Sequence, residues 1–312
     1  MAYNDSGQGL IKKCVWLVDT IHREGSISFK DLNKKWLEDD ISGGVDIPKR
    51  TFNNWKDDVA DLFGIDIANE NCGKYRYYIE NEEDLEGDSL RQWLYKMFSI
   101  GNTLSNCQSI KDRIVLEHVP SGREFLQPIV EAMKENRVLN MTYQNFEAAE
   151  ETNFDVKPFF IKLFRQRWYL VGQGTIPPYS SMPPMIYSLD RIHKLHKTEQ
   201  TFEMPEDADA KQYFKGYFGI IRGDGTKIMN IKLKVTAKQS NYLRSLPLHQ
   251  SQKEVERTDE YSIFTLRLRP TFDFIQELFH NLDTVEVLEP AELRTEVAAI
   301  VERMHETYNK QE

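Results

Sequence analysis

The spacing of apolar residues changes character along this chain of 312 residues, and that change limits what it can fold into. Up to Met133 most apolar runs recur every three or four positions, the period of a helix packed on one side. From Val138 to Ile192 they alternate or come in short blocks divided by Pro, Gly and charged residues, as short strands do. From Ile228 onward, strand-like and helix-like stretches take turns. Such a chain is α+β and needs more than one core. Its length agrees, at ~100–200 residues per domain. The reading divides it into 1–80, 81–126, 127–200 and 201–312.

In the first segment, Leu10, Ile11, Cys14, Val15, Leu17, Val18 and Ile21 make one helical stripe that Gly25 stops. Ser28 caps a second helix with Phe29, Leu32 and Trp36 inward. After the turn Ile41-Ser42-Gly43-Gly44, Pro48 opens a third helix whose inner face is Phe52, Trp55, Val59, Leu62 and Phe63. Gly64 ends it, and strands Ile65–Ile67 and Lys74–Ile79 flank a turn at Asn71-Cys72-Gly73. Three helices and a hairpin make a winged helix-turn-helix. Arg50, Asn53 and Asn54 share the outer face of the third helix, opposite Phe52 and Val59. Arg suits guanine and Asn suits adenine in a major groove, so these are candidate base readers. Lys49 and Thr51 are candidate phosphate contacts, and Lys74 and Arg76 line one side of the wing with Tyr75 and Tyr77 on the other. Asp57 and Asp61 continue the helix face and limit groove entry to its first turns; an ordinary solvated helix face would read the same way.

The acidic stretch 81–88 leads to a helical stripe, Leu90, Trp93, Leu94, Met97 and Phe98, suited to a neighbouring domain or a second subunit. Ile114-Val115-Leu116 reads as a strand, and Phe125, Leu126, Ile129, Val130 and Met133 as a helix ending near Asn136. Strands follow at Val138–Tyr143, Ile161–Phe164, Trp168–Val171 and Ile186–Ile192, with Arg165-Gln166-Arg167 as a turn and a proline-framed loop at 177–184. Short strands and tight turns suggest a small barrel-like sheet. The last segment reads β-α-β-α-β-α, with strands at Ile228–Val235, Ser262–Leu268 and Thr284–Leu288. Its helices are Gln239–Leu246, Phe272–Phe279 and Glu292–His305, a pattern that suits a ferredoxin-like module.

The net charge of −9 is unevenly spread: −3 over 1–80, −3 over 81–126, +1 over 127–200 and −4 over 201–312. The one segment that is not acidic is the strand-rich one. There Arg165, Arg167 and Arg191 lie among Tyr143, Trp168 and Tyr169, residue types that hold phosphate by bidentate pairing and bases by stacking. Trp168, beside Leu170 on a strand, reads as core, and Arg191 beside Asp190 also suits a brace for a turn. Cys14, Cys72 and Cys107 are too sparse for a disulfide framework or a zinc cluster. No run approaches ~18 apolar residues and the first residues lack signal-peptide order, so the expected location is the cytoplasm, with no membrane partner. No HExxH, GxSxG or Gly-Lys-Ser/Thr signature occurs, and His193 and His196 fall on opposite faces of a strand. Neither an enzyme, a metal nor a cofactor is expected.

One ordered set of motifs is more specific. Arg167-Trp168-Tyr169-Leu170-Val171-Gly172 resembles the namesake motif of the WYL-domain family. Val138–Tyr143 resembles that family's opening strand, Lys157-Pro158-Phe159 its proline-bearing strand start, and Ser188-Leu189-Asp190-Arg191-Ile192 its closing signature. Tyr213–Ile220 resembles the segment linking to the family's C-terminal WCX extension, and so do His249–Lys253 and Val285–Pro290. The resemblance implies a bacterial transcriptional regulator: an SH3-like or Sm-like barrel that senses a ligand, in some members a nucleic-acid fragment, and a WCX module for dimer formation or signalling. Many members carry an arginine just before the Val-x-Pro strand; here Asp155 stands there, and Lys157, Lys162, Arg165 and Arg167 are the candidates to supply the charge. The expectation is a homodimer that binds double-stranded DNA and an anionic or nucleic-acid effector, held by Tyr143, Lys157, Lys162, Arg165, Arg167, Tyr169 and Arg191. The alternative is an accessory protein that binds single-stranded nucleic acid through the same cluster.

Overall fold

The computed structural model describes residues 7–70, 75–81, 83–86, 89–105, 112–115, 117, 119–146, 148–222 and 225–309. The chain forms two compact units, Met1–Glu117 and His118–Glu312, each a mixture of helices and antiparallel sheet. Among the described residues no helix is long and apolar enough to cross a membrane.

The first unit runs α1 (Gly7–Glu24), β1 (Ile27–Ser28), α2 (Phe29–Leu37), α3 (Lys49–Phe63), β2 (Ile67–Asn69), β3 (Arg76–Ile79), α4 (Glu83–Glu86) and α5 (Leu90–Ser105). Ser28 caps α2 by accepting the Asp31 N–H at 3.1 Å. Gly64, at φ 69°, ends α3 as a left-handed cap. The core is aromatic: Trp36 meets Trp16 and Trp55 edge-on, at centroid distances of 4.8 and 5.2 Å. β1, absent from the sequence reading, pairs with β3 and gives the sheet order β1-β3-β2. β2 lies two residues beyond the expected Ile65–Ile67. The Asn71–Gly73 turn lies outside the described residues. α5 is longer than expected and packs within this unit: Tyr95 is buried against Phe63 (5.6 Å), and the Tyr95 and Ser99 hydroxyls both donate to Asp19. Ile114 and Val115 have no regular structure, so no strand begins there.

The second unit begins with α6 (Leu126–Lys134) and five strands: β4 (Arg137–Tyr143), β5 (Thr152–Phe164), β6 (Arg167–Gly174), β7 (Met185–Ser188) and β8 (Ile192–Thr201). Their order is β7-β6-β5-β4-β8, all antiparallel. Leu139, Met141, Val156, Leu170, Leu189 and Ile192 bury one face with Ile129 and Ala132 of α6. The expected strand Ile186–Ile192 is broken: β7 stops at Ser188, Leu189–Arg191 forms a short 3₁₀ turn, and β8 follows. The sequence reading missed β8 because only Ile192 in it is buried. β5 and β6 join through Arg165 and Gln166, both at positive φ (47° and 64°), a two-residue turn whose hand matches strand twist. Gly172 is required by contact: a Cβ there would stand 2.5 Å from Val156 Cγ2 and 2.8 Å from the Lys157 carbonyl oxygen, beside the bulge at Pro158–Phe160.

The chain continues with α7 (Ala210–Tyr213), β9 (Met229–Thr236), α8 (Ala237–Ser245), β10 (Lys253–Arg257), β11 (Tyr261–Leu268), α9 (Phe272–His280), β12 (Val285–Glu289) and α10 (Ala291–Asn309). The strand β10 corrects the expected β-α-β-α-β-α order to β-α-β-β-α-β-α, with sheet order β10-β11-β9-β12. Ile231, Leu233, Val235, Phe264, Leu266 and Leu268 form the buried face of that sheet, against Leu243, Phe274, Ile275, Leu278 and Leu293 of the helices. Gly172→Ala is expected to destabilise the second unit by about 1–3 kcal/mol through overpacking, read as a lowered urea midpoint.

Candidate functional site

The outer face of α3 carries Arg50, Asn53 and Asn54 side by side and exposed, while Phe52, Trp55 and Val59 anchor the inner face. None of the three makes a side-chain hydrogen bond or ion pair with any described residue. Thr51 is half-buried between the two faces. Lys49 is engaged elsewhere: its ammonium donates to the Tyr77 hydroxyl and lies 4.2, 4.8 and 4.6 Å from the ring centroids of Phe29, Phe52 and Tyr77. Arg76 is engaged as well, donating to the hydroxyl (3.0 Å) and carbonyl of Ser26. Both are thus engaged within the first unit, and Lys74 lies outside the described residues. Tyr77 is buried and Tyr75 exposed, so they are not the paired wing face expected of them.

The second cluster forms where β4, β6 and the Leu189–Arg191 turn meet. The Tyr143 hydroxyl accepts the Ser188 N–H at 3.3 Å, and its ring lies 5.4 Å from Tyr187. Burial pushes Tyr143 above the usual tyrosine range, opposed by that Ser188 bond and by Arg191. Tyr169, also buried, is pushed up by burial and pulled down by Arg167. Arg167 is half-exposed and holds Asp190 loosely, at 3.7 Å. Asp190 in turn accepts the Ser188 hydroxyl. The guanidinium of Arg191 has a buried Nε with no hydrogen-bond partner and lies 3.6 Å from the centroid of Phe146. Arg167, Arg191, Tyr143 and Tyr169 thus come together, joined by Ser188 and Asp190 of the closing motif and by Phe146, which the sequence reading did not single out. The exposed Phe146 carried no signal, because it lies in a polar loop rather than on a strand. Trp168 is half-buried against the core, as read.

Lys162 and Arg165 do not join this cluster. The Lys162 ammonium donates to the Gly219 carbonyl and lies 4.0 Å from the Phe214 ring. The Arg165 guanidinium pairs with Glu277 on α9. The carboxylate of Asp273, 5% exposed, accepts the N–H groups of Ile220 (2.8 Å) and Ile221 (3.1 Å). The connector 213–221 is therefore gripped from the five-stranded sheet on one side and from α9 on the other. Lys157 is half-buried on β5, in register with Gln173. Asp155 accepts the Asn140 amide at 2.8 Å. Among the described residues no group of three or more His, Cys, Asp and Glu is placed to hold a metal.

Family models match two stretches of the chain: the WYL domain over residues 124–197 and the WCX domain over residues 227–305. The chain carries a WYL domain and a WCX domain. The first comprises α6 and the five-stranded sheet, the second β9 to α10. The curated proteins yield no match. Two solved structures are distantly similar. Proteasome accessory factor B/C (PafBC) of Arthrobacter aurescens shares 18% identity over 95% of this chain and 46% of its own, with a TM-score of 0.37. A CRISPR Cas-related protein shares 14% identity over 97% of this chain and 86% of its own, with a TM-score of 0.39. The chain thus spans less than half the length of PafBC, and likeness at these scores carries no argument about activity.

Burial brings the Lys162 amine from 10.5 down to about 8, with Asp273 opposing. Between about pH 8 and the ordinary lysine range the unfolded chain therefore holds a proton that the folded chain has lost. Stability is expected to rise with pH across that window, measured as urea midpoints, and Lys162→Met is expected to lack this contribution.

Proposed function

We propose that the chain is a dimeric, ligand-responsive, DNA-binding transcriptional regulator without catalytic activity. In this reading the first unit is a winged helix-turn-helix: the order β1-β3-β2 behind three helices supports it. The WYL sheet is read as an SH3-like or Sm-like barrel and the WCX module as ferredoxin-like, which its β-α-β-β-α-β order supports. The observation that carries the DNA reading is the free Arg50–Asn53–Asn54 face at the start of α3. A helix anchored by four buried aromatic or branched residues and presenting unengaged Arg and Asn at its N-terminal end suits readout in a major groove. The effector is an anion, a nucleotide or a nucleic-acid fragment, held by Arg167 and Arg191 among Tyr143 and Tyr169. It acts by binding one arrangement of the dimer better than another.

One observation favours a second reading, an accessory protein that binds single-stranded nucleic acid through the WYL domain. Lys49 and Arg76 are engaged within the first unit, and Asp57 and Asp61 are exposed on the α3 face, which leaves few contacts for duplex phosphate.

Fluorescence anisotropy on the duplex upstream of the chain's own gene, at two salt concentrations, separates them. Arg50→Ala is expected to weaken specific duplex binding by about 1–3 kcal/mol and relax sequence preference. Unchanged duplex binding in that variant, beside single-strand binding lost in Arg167→Ala, would establish the second reading instead.

A further inference from the structure

The rings first assigned to base stacking are unavailable for it. Tyr169 is 8% exposed, Tyr143 is committed to Ser188, and Trp168 packs on the core. Phe146 is the reverse case. Its side chain is 76% exposed, yet its position is set. One face lies 3.6 Å from the Arg191 guanidinium, well inside the ~6 Å reach of a cation–π contact. Its backbone belongs to a closed turn, with the Ala148 N–H donating to the Asn145 carbonyl (3.1 Å) and the Gln144 N–H to the Arg191 carbonyl (3.2 Å). An exposed aromatic ring held against a cation is a pre-organised stacking surface, since little side-chain freedom is lost when a second ring lands on it. Arg191 follows Asp190, the residue that Arg167 approaches to 3.7 Å, so the ring rests on the same short turn that Arg167 faces.

We infer that Phe146 is the base-stacking platform of the WYL site. A base of a single strand lies on its outer face while the half-exposed Arg167 takes an adjacent phosphate. This rests on the effector reading above and deepens it: the ligand needs a flat ring as well as negative charge. Anions without a ring are held by charge alone, and the preference for a ring resides in one side chain.

The test compares short thymidine oligonucleotides with abasic strands of equal length and phosphate count, by anisotropy on the full chain. The parent is expected to bind the base-bearing strand about tenfold to a hundredfold more tightly. Phe146→Leu is expected to lose that preference while keeping the weaker, salt-dependent binding shared by both strands. Phe146→Trp is expected to restore the preference and report stacking as indole quenching. Folding is a small concern, since the side chain is outside every core. If the parent binds both strands equally, or Phe146→Leu keeps the preference, the platform is overturned and the effector reading stands. If the parent binds neither strand, the nucleic-acid effector falls and the platform with it.

Discussion

The tight turn at Arg165 and Gln166 constrains the second unit more than any other local feature. Two consecutive non-glycine residues at positive φ are costly, and such positions persist only where the surroundings over-determine them. Here Arg165 is tied to Glu277 and lies near the rings of Phe164 and Phe218, at 5.3 and 6.0 Å. A two-residue connection leaves β5 and β6 one register, so Tyr169 falls opposite Lys162 and Ser188, and Leu170 opposite Ile161 and Tyr187. A slip of one residue would turn Arg167 and Tyr169 onto the face that Trp168 and Leu170 pack into the core. The same hairpin serves two neighbours: the arginine before Gln166 faces the WCX module, and the arginine after it faces Asp190.

Burial decides which charged and aromatic groups remain available for a ligand. The second unit contains many arginines, lysines and tyrosines, but most are spent on its own architecture. Lys162 caps the Gly219 carbonyl, and Asp273 collects two N–H groups of the same connector. For this amine the loss of hydration on burial outweighs the pull of Asp273, which accounts for its lowered proton affinity. What remains accessible near the WYL motif is a half-exposed Arg167 and an exposed ring on Arg191.

Elements with a strong apolar period were legible in the chain itself. The stripes of α1, α6 and α9 and the alternation of β4, β9 and β11 each mark a buried face that the structure confirms, and the stripe of α3 does so except at Leu62, which is 38% exposed. Spacing could not show how long polar side chains are spent. Arg76 and Ser26 are 50 residues apart in sequence, and Arg165 and Glu277 are 112 apart. Only the fold brings such pairs together, which is why Lys49, Arg76, Lys162 and Arg165 all read as free cations in the sequence. Phe146 failed in the opposite sense: a lone aromatic residue in a polar loop has no periodicity, and its partner lies 45 residues away across the sheet.

β8 and β10, which with β1 were hidden from sequence reading, are both outermost in their sheets. Lys253, Glu254, Glu256 and Arg257 crowd β10, and His193, Lys194, His196 and Lys197 crowd β8. An outermost strand offers unpaired N–H and carbonyl groups to any chain that drifts past. Dense charge makes such a visitor shed water from its own surface and confront like-signed groups. The composition that disguises these segments as loops therefore guards the protein against edge-to-edge aggregation at cellular concentrations. An apolar replacement along either rim would trade solubility for a pattern easier to read.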